Sequence, residues 1–159
     1  MHRLNAALKK ELEKLSELVA EHSALPFDAT HPRIIGSILH DFYTGVERIF
    51  HKIAAELEGD IPQSRTWHKD LLDDMALDIQ QVRPAVITDD LRQTLEQYLR
   101  FRHVFRGSYG FELDSERMRS MFEELHAVFS QFQHELAQFL STMTVLAQEL
   151  GTDDQTSED

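Results

Sequence analysis

The residues best able to do chemistry in this chain lie in one basic segment, Tyr98-Leu99-Arg100-Phe101-Arg102-His103-Val104-Phe105-Arg106-Gly107-Ser108-Tyr109-Gly110. Residues 97–111 hold three arginines and no aspartate or glutamate, so this window carries +3 within a chain of net charge −12. On a helix, Arg102, Arg106 and Tyr109 follow i, i+4, i+7 spacing and share a face. Two guanidiniums and a phenol on one face suit a phosphodiester, since forked N–H donors match its anionic oxygens. His103 and position 107 are i, i+4 neighbours on an adjacent face. The structural alternative is that these arginines pair with carboxylates on other helices.

Other groups carry less. The nine histidines raise the question of a metal. Glu47 and His51 lie at i, i+4, and Glu123 and His126 form a Glu-x-x-His pair of the kind found in di-iron bundles. Such a centre needs a second Glu-x-x-His and two further inward glutamates, which the sequence does not supply at matching places. No metal and no cofactor is therefore expected. There is no cysteine, hence no disulfide scaffold and no thiolate site. Phosphate loops, Gly-x-Ser-x-Gly and His-Glu-x-x-His motifs are absent. The acidic bulk argues against non-specific coating of nucleic acid, while a single basic window in such a chain marks a local anion site. No apolar run reaches the roughly 18–20 residues of a membrane span. The start Met1-His2-Arg3-Leu4 leads into a charged helical pattern instead of a signal core. A cytoplasmic protein without membrane contact is expected.

The elements that must position the basic segment read as helices throughout, because apolar residues recur at 3.6-residue spacing and no strand-like alternation persists. The first helix covers about 2–22, with Leu4, Leu8, Leu12, Leu15, Leu18 and Val19 on one face. Pro26 breaks the chain after it. Thr30 is placed to cap a second helix with Pro32 in its first turn, running to about Leu57 on Ile34, Ile35, Ile38, Phe42, Val46, Ile49 and Ile53. A third is predicted over 64–82, with Trp67, Leu71, Met75, Ile79 and Val82 inward and Pro84 ending it. Thr88-Asp89-Asp90 caps a fourth built on Leu91, Leu95, Tyr98, Leu99 and Phe105, which Gly107 and Gly110 should weaken. Asp114-Ser115-Glu116 starts a fifth to about Leu150, with Met118, Phe122, Leu125, Phe129, Phe132, Leu136, Phe139, Met143 and Leu146 as its stripe. The expected fold is all-α, an antiparallel bundle of about five helices forming one domain over 1–151, with an acidic, flexible tail at 152–159. The long apolar second and fifth helices point to a homodimer. Tyr43 and Glu47 are read as packing and polar contacts between helices.

With these residues in place, the chain resembles the HepT-like branch of the HEPN superfamily, the toxin halves of HepT–MntA pairs. The resemblance runs through Asp41-Phe42-Tyr43-Thr44-Gly45-Val46-Glu47-Arg48-Ile49-Phe50, then Trp67-His68-Lys69-Asp70-Leu71-Leu72 and Arg83-Pro84-Ala85-Val86-Ile87. It peaks at Leu99-Arg100-Phe101-Arg102-His103-Val104-Phe105-Arg106 and Tyr109. The family motif is Arg, four residues, His, any residue, Tyr. Arg102 takes the Arg place and Tyr109 the Tyr place, but the His place falls on Gly107. The resemblance implies a metal-independent endoribonuclease acting at a cleft between two protomers. Attack of the RNA 2′-hydroxyl on the adjacent phosphate leaves a 2′,3′-cyclic end. His would move the proton and Arg would stabilise the transition-state charge, with Arg100, His103 and Arg106 as further RNA contacts. Gly107 can transfer no proton, which implies an inactive or attenuated copy. Gly107 is then a disarming replacement, a natural loss, or a gap filled by His103 one turn earlier, an offset of about 5.4 Å that is too long without a kink. The resemblance also implies an MntA-like minimal nucleotidyltransferase antitoxin that transfers AMP to Tyr109, placing phosphate beside the arginines and blocking RNA. The alternative is a non-catalytic HEPN-like bundle that binds RNA or a nucleotidyltransferase.

Overall fold

In the computed structural model, residues 2–28, 31–59, 64–107 and 114–153 are described. Among them the chain forms five helices and no strand: α1 (His2–Ser23), α2 (Pro32–Leu57), α3 (Trp67–Met75), α4 (Asp89–Gly107) and α5 (Ser115–Asp153). The all-α bundle expected from the apolar spacing is the fold observed. Helix α2 is its centre and packs against each of the other four. This is possible because α2 is apolar over most of its circumference, burying Ile35, Ile38, Leu39, Phe42, Val46, Ile49, Phe50, Ile53 and Ala54. The stripe of α5, from Met118 through Phe132 to Met143, closes the core from the far side. Gly45 is what allows α1 so near: a Cβ there would overlap the Leu15 side chain.

Local chemistry sets the ends. Pro32 opens α2, but His31 occupies the cap position and its side chain makes no capping bond to the helix, its ring meeting Asp28 at 2.6 Å instead; Thr30 lies outside the described residues. At α4 the capping is well made. Thr88 Oγ1 accepts the Leu91 N–H at 3.3 Å. Glu135, reaching across from α5, accepts the Thr88 N–H at 2.7 Å and its hydroxyl at 2.9 Å. A carboxylate at that helix start complements the dipole and fixes α4 to α5, which sets where the far end of α4 sits.

The third helix is shorter than the periodicity predicts. It ends at Met75 instead of 82, and Val82 is exposed instead of inward. The cause is Arg83, whose side chain is fully buried. Its Nε donates to Glu58 Oε1 at 2.7 Å, and its terminal nitrogens donate to the carbonyls of Asp74, Leu77 and Pro84. A buried guanidinium must find acceptors, and two of those it takes, the Asp74 and Leu77 carbonyls, are ones that a longer helix would have used. Gln81 turns the chain with a positive φ of 63°. Ile34 and Leu146, expected on the inward stripes, likewise lie exposed.

One buried ring gives the fold a pH dependence. His22, at the end of α1, is 5% exposed, and its ring centre lies 3.9 Å from that of Phe122 of α5 with the planes tilted by 58°. Neither ring nitrogen closes a hydrogen bond among the described residues. Burial holds its pKa below the ordinary 6.5; the nearby Phe122 backbone offsets part of this and the charge of His126 adds to it. Above 6.5 both folded and unfolded chains keep this ring neutral. As pH falls through that value the unfolded chain takes up a proton that the folded one refuses, so stability drops until the depressed folded pKa is passed. Denaturation midpoints compared at about pH 7.5 and 5.5 should fall further for the native chain than for His22→Leu. Equal losses in the two proteins would show that His22 is not the cause.

Candidate functional site at the end of helix α4

The last two turns of α4 carry the basic segment, and the bundle treats its members differently. Arg100 is exposed and donates to Glu96 of its own helix at 2.7 Å. His103, Arg106 and Gly107 are exposed, and Arg106 has no carboxylate partner among the described residues. Arg102 faces inward and is 3% exposed. Its two terminal nitrogens grip Glu47 of α2 in a fork, Nη1 to Oε1 at 3.0 Å and Nη2 to Oε2 at 2.8 Å. The structural alternative weighed for Arg102, a pair with an acid on another helix, is therefore the arrangement present. Arg102 and Arg106 do not form one open face, because α2 and α3 cover the first and leave the second free. Tyr109 lies outside the described residues.

Three further side chains complete the cluster. His68, in the first turn of α3, brings Nδ1 to 2.6 Å from Glu47 Oε2. The same nitrogen lies 2.9 Å from Arg102 Nη2. It cannot donate to the carboxylate and accept from the guanidinium at once. The shorter contact, to an anion that only accepts, requires a proton on Nδ1, so the approach to Arg102 is a close contact and not a hydrogen bond. Trp67 stacks on the His68 ring at 3.6 Å, and the His103 ring stands edge-on to it at 5.9 Å. Tyr43 lies under Arg102, with the guanidinium carbon 5.0 Å from its ring centre. Burial, reinforced by the Glu47 carboxylate and opposed by Arg102, pushes the Tyr43 phenol far above its ordinary range. It stays a neutral hydroxyl, and it has no hydrogen-bond partner among the described residues.

Of the sequence-predicted site residues, Arg102, His103, Arg106 and Gly107 thus fall within two turns, and Arg100 lies on the outer face. His68 was not singled out from the sequence for chemistry. Glu47 was read as a polar contact between helices, which it is, but its charge was the available signal: an acid among Tyr43, Val46 and Phe50 on the buried stripe of α2 must meet a cation. Among the described residues, nothing beyond its chain neighbours lies within 4 Å of where a Cβ on Gly107 would stand.

Beside the cluster, a cleft lined by Glu47, Arg48, His51, Lys52 and Trp67, with Glu11 and Lys14 of α1, opens to solvent. Among the described residues no group of three histidine, aspartate or glutamate side chains could hold a metal ion. None of the described helices is long and apolar enough to cross a membrane.

A family model described as HepT-like protein matches residues 34–143. This chain belongs to the HepT-like family. The match spans more than half of the chain and takes in α2, α3, α4 and the greater part of α5, so Glu47, His68, Arg102 and Gly107 all lie within it. It bears out the resemblance carried by the segments around Asp41, Trp67 and Arg102. No curated protein and no solved structure matches the HepT-like chain.

Proposed function

We propose that this chain is the toxin half of a HEPN–MNT-type toxin–antitoxin pair, an RNA-directed homodimer whose site at the end of α4 is attenuated by Gly107. Its antitoxin would be an MntA-like minimal nucleotidyltransferase that transfers AMP to Tyr109. The observation that carries the reading is the composition of two turns of one helix in a HepT-like chain. There a fixed Arg102 is followed by exposed His103 and Arg106 and by an open position 107. In the family pattern that open position is where the proton-transferring histidine stands. Pairing of two basic windows across a dimer would concentrate a local positive field in an otherwise acidic protein.

A second reading, binding of RNA or of the nucleotidyltransferase without cleavage, is favoured by two observations. Position 107 has no side chain, and both terminal nitrogens of Arg102 are engaged by Glu47. Cleavage and RNA binding without cleavage both need RNA contacts from the exposed end of α4, whereas a bundle that holds only the nucleotidyltransferase does not, so Arg106 is the residue to test. Arg102 is a poor choice, because its replacement disturbs the core. Binding of a labelled single-stranded RNA should weaken several-fold in Arg106→Ala, and the slope of log affinity against log salt should fall by about 0.7, as for one lost phosphate contact. An unchanged affinity and slope would remove RNA from this end of the molecule.

A further inference from the structure

The Glu47–His68–Arg102 cluster is more than an ion pair, because it includes a partly exposed histidine that is held through one ring nitrogen only among the described residues. Glu47 fixes the Nδ1 proton at 2.6 Å. Arg102 in turn fixes both oxygens of Glu47, and the stacked Trp67 ring holds the imidazole plane. The other nitrogen, Nε2, makes no hydrogen bond among the described residues, and the His68 side chain is 22% exposed. A carboxylate on Nδ1–H sets the tautomer and leaves Nε2 as the basic nitrogen, as in other sites where an acid orients a histidine base. The cleft lined by Lys14, Arg48, His51, Lys52 and Trp67 together with Glu11 and Glu47 reaches the cluster at Glu47 and Trp67. Glu11 lies against Lys14 and Lys52, which leaves Arg48 as the cation on the approach with no carboxylate partner among the described residues.

We propose that His68 is the proton-transferring residue of this chain, acting on an RNA 2′-hydroxyl in the place that Gly107 cannot fill, with Glu47 and Arg102 as its positioning residues. The proposal rests on the reading of the chain as RNA-directed. His68 Nε2 takes the proton of the 2′-hydroxyl as that oxygen bonds the neighbouring phosphorus. The bond from phosphorus to the 5′-oxygen breaks, and the departing oxygen takes a proton from water. The imidazolium then gives its proton to the hydroxide so formed. The products are a 2′,3′-cyclic phosphate and a 5′-hydroxyl, with no net change of oxidation state or proton count. Arg102 need not leave Glu47 for this to occur, which fits its burial better than a direct grip on phosphate.

The test uses the full chain, a 5′-labelled single-stranded RNA of mixed sequence, and His68→Asn. The asparagine amide can keep the donor to Glu47 while removing the base. The native chain should cleave slowly, and His68→Asn should lose about 10²- to 10⁴-fold in rate, the usual span for a general base, with RNA affinity unchanged. In ¹⁵N spectra of the native protein, the neutral His68 ring should carry its proton on Nδ1. Cleavage by His68→Asn at the native rate would overturn the proposal while leaving the RNA reading intact. RNA binding without any native cleavage would also overturn it, in favour of the binding reading. Failure of the native chain to bind RNA at all would overturn both. Were His68→Asn not to fold, the spectra decide, since a neutral ring protonated on Nε2 contradicts the proposal.

Discussion

Arg102→Ala should lower the unfolding free energy by about 3–5 kcal/mol, the cost typical of removing one partner from a buried ion pair. The loss comes less from the missing attraction than from what stays behind. Glu47 is 8% exposed and would keep only the His68 donor for a carboxylate that now holds three contacts. Tyr43 would lose the cation above its ring, and α2 and α4 would lose the ion pair that joins them. For a chain of this length that is a fall of roughly 6–20 °C in melting temperature. Replacing both partners, as in Glu47→Leu with Arg102→Met, should recover most of it, because an apolar pair of similar volume leaves no buried charge unpaired. Denaturant unfolding of the two variants beside the native chain measures this. A single variant within about 1 kcal/mol of native would mean that the pair is not closed in solution.

The consequence reaches beyond stability. An arginine mapped onto a family's catalytic position invites alanine replacement, and here a loss of function in that variant would be ambiguous between chemistry and folding. Arg106 and His68 do not carry this ambiguity to the same degree, since Arg106 is exposed and His68→Asn can retain the contact to Glu47.

Much of this was legible in the sequence where the signal is local. The stripes of α2 and α5 repeat at helical spacing over many turns, and Thr88 announces α4 by side-chain chemistry within three residues. What escaped depends on partners far apart in the chain. The end of α3 is decided by Arg83, which binds Glu58 from 25 residues away, so a periodicity that continues through Ile79 and Val82 is overruled by a buried cation. The same holds for the site. Spacing alone puts Arg102, Arg106 and Tyr109 on one face, but the acid that draws Arg102 inward stands 55 residues earlier. His68 sits 34 residues before Arg102, in a Trp-His-Lys-Asp stretch with no spacing signature of its own. The resemblance includes His68 in its Trp67–Leu72 segment, and the family match spans residues 34–143, but neither gives a role to the histidine that geometry places against Arg102.

Gly107→His is the substitution that most sharply divides cleavage from binding. Position 107 is the final residue of α4, its φ is not among the positive ones, and among the described residues no atom beyond its chain neighbours stands within 4 Å of the new Cβ. A Cβ therefore meets no clash with the described residues. Replacing a helical glycine gains a few tenths of a kcal/mol in propensity, and a cation at the helix end complements the dipole, so folding should be unharmed. If the family chemistry holds, RNA cleavage should rise by about 10²- to 10⁴-fold over a chain with no competent base. The gain depends on what the native chain already does. With His68 active, native cleavage sets a higher floor, and the increase in the single variant should be smaller than the increase seen when Gly107→His is added to His68→Asn. Equal gains in the two backgrounds would show that His68 contributes nothing. No gain in either, with both proteins folded and binding RNA, would show that this bundle holds RNA without cutting it, whatever stands at position 107.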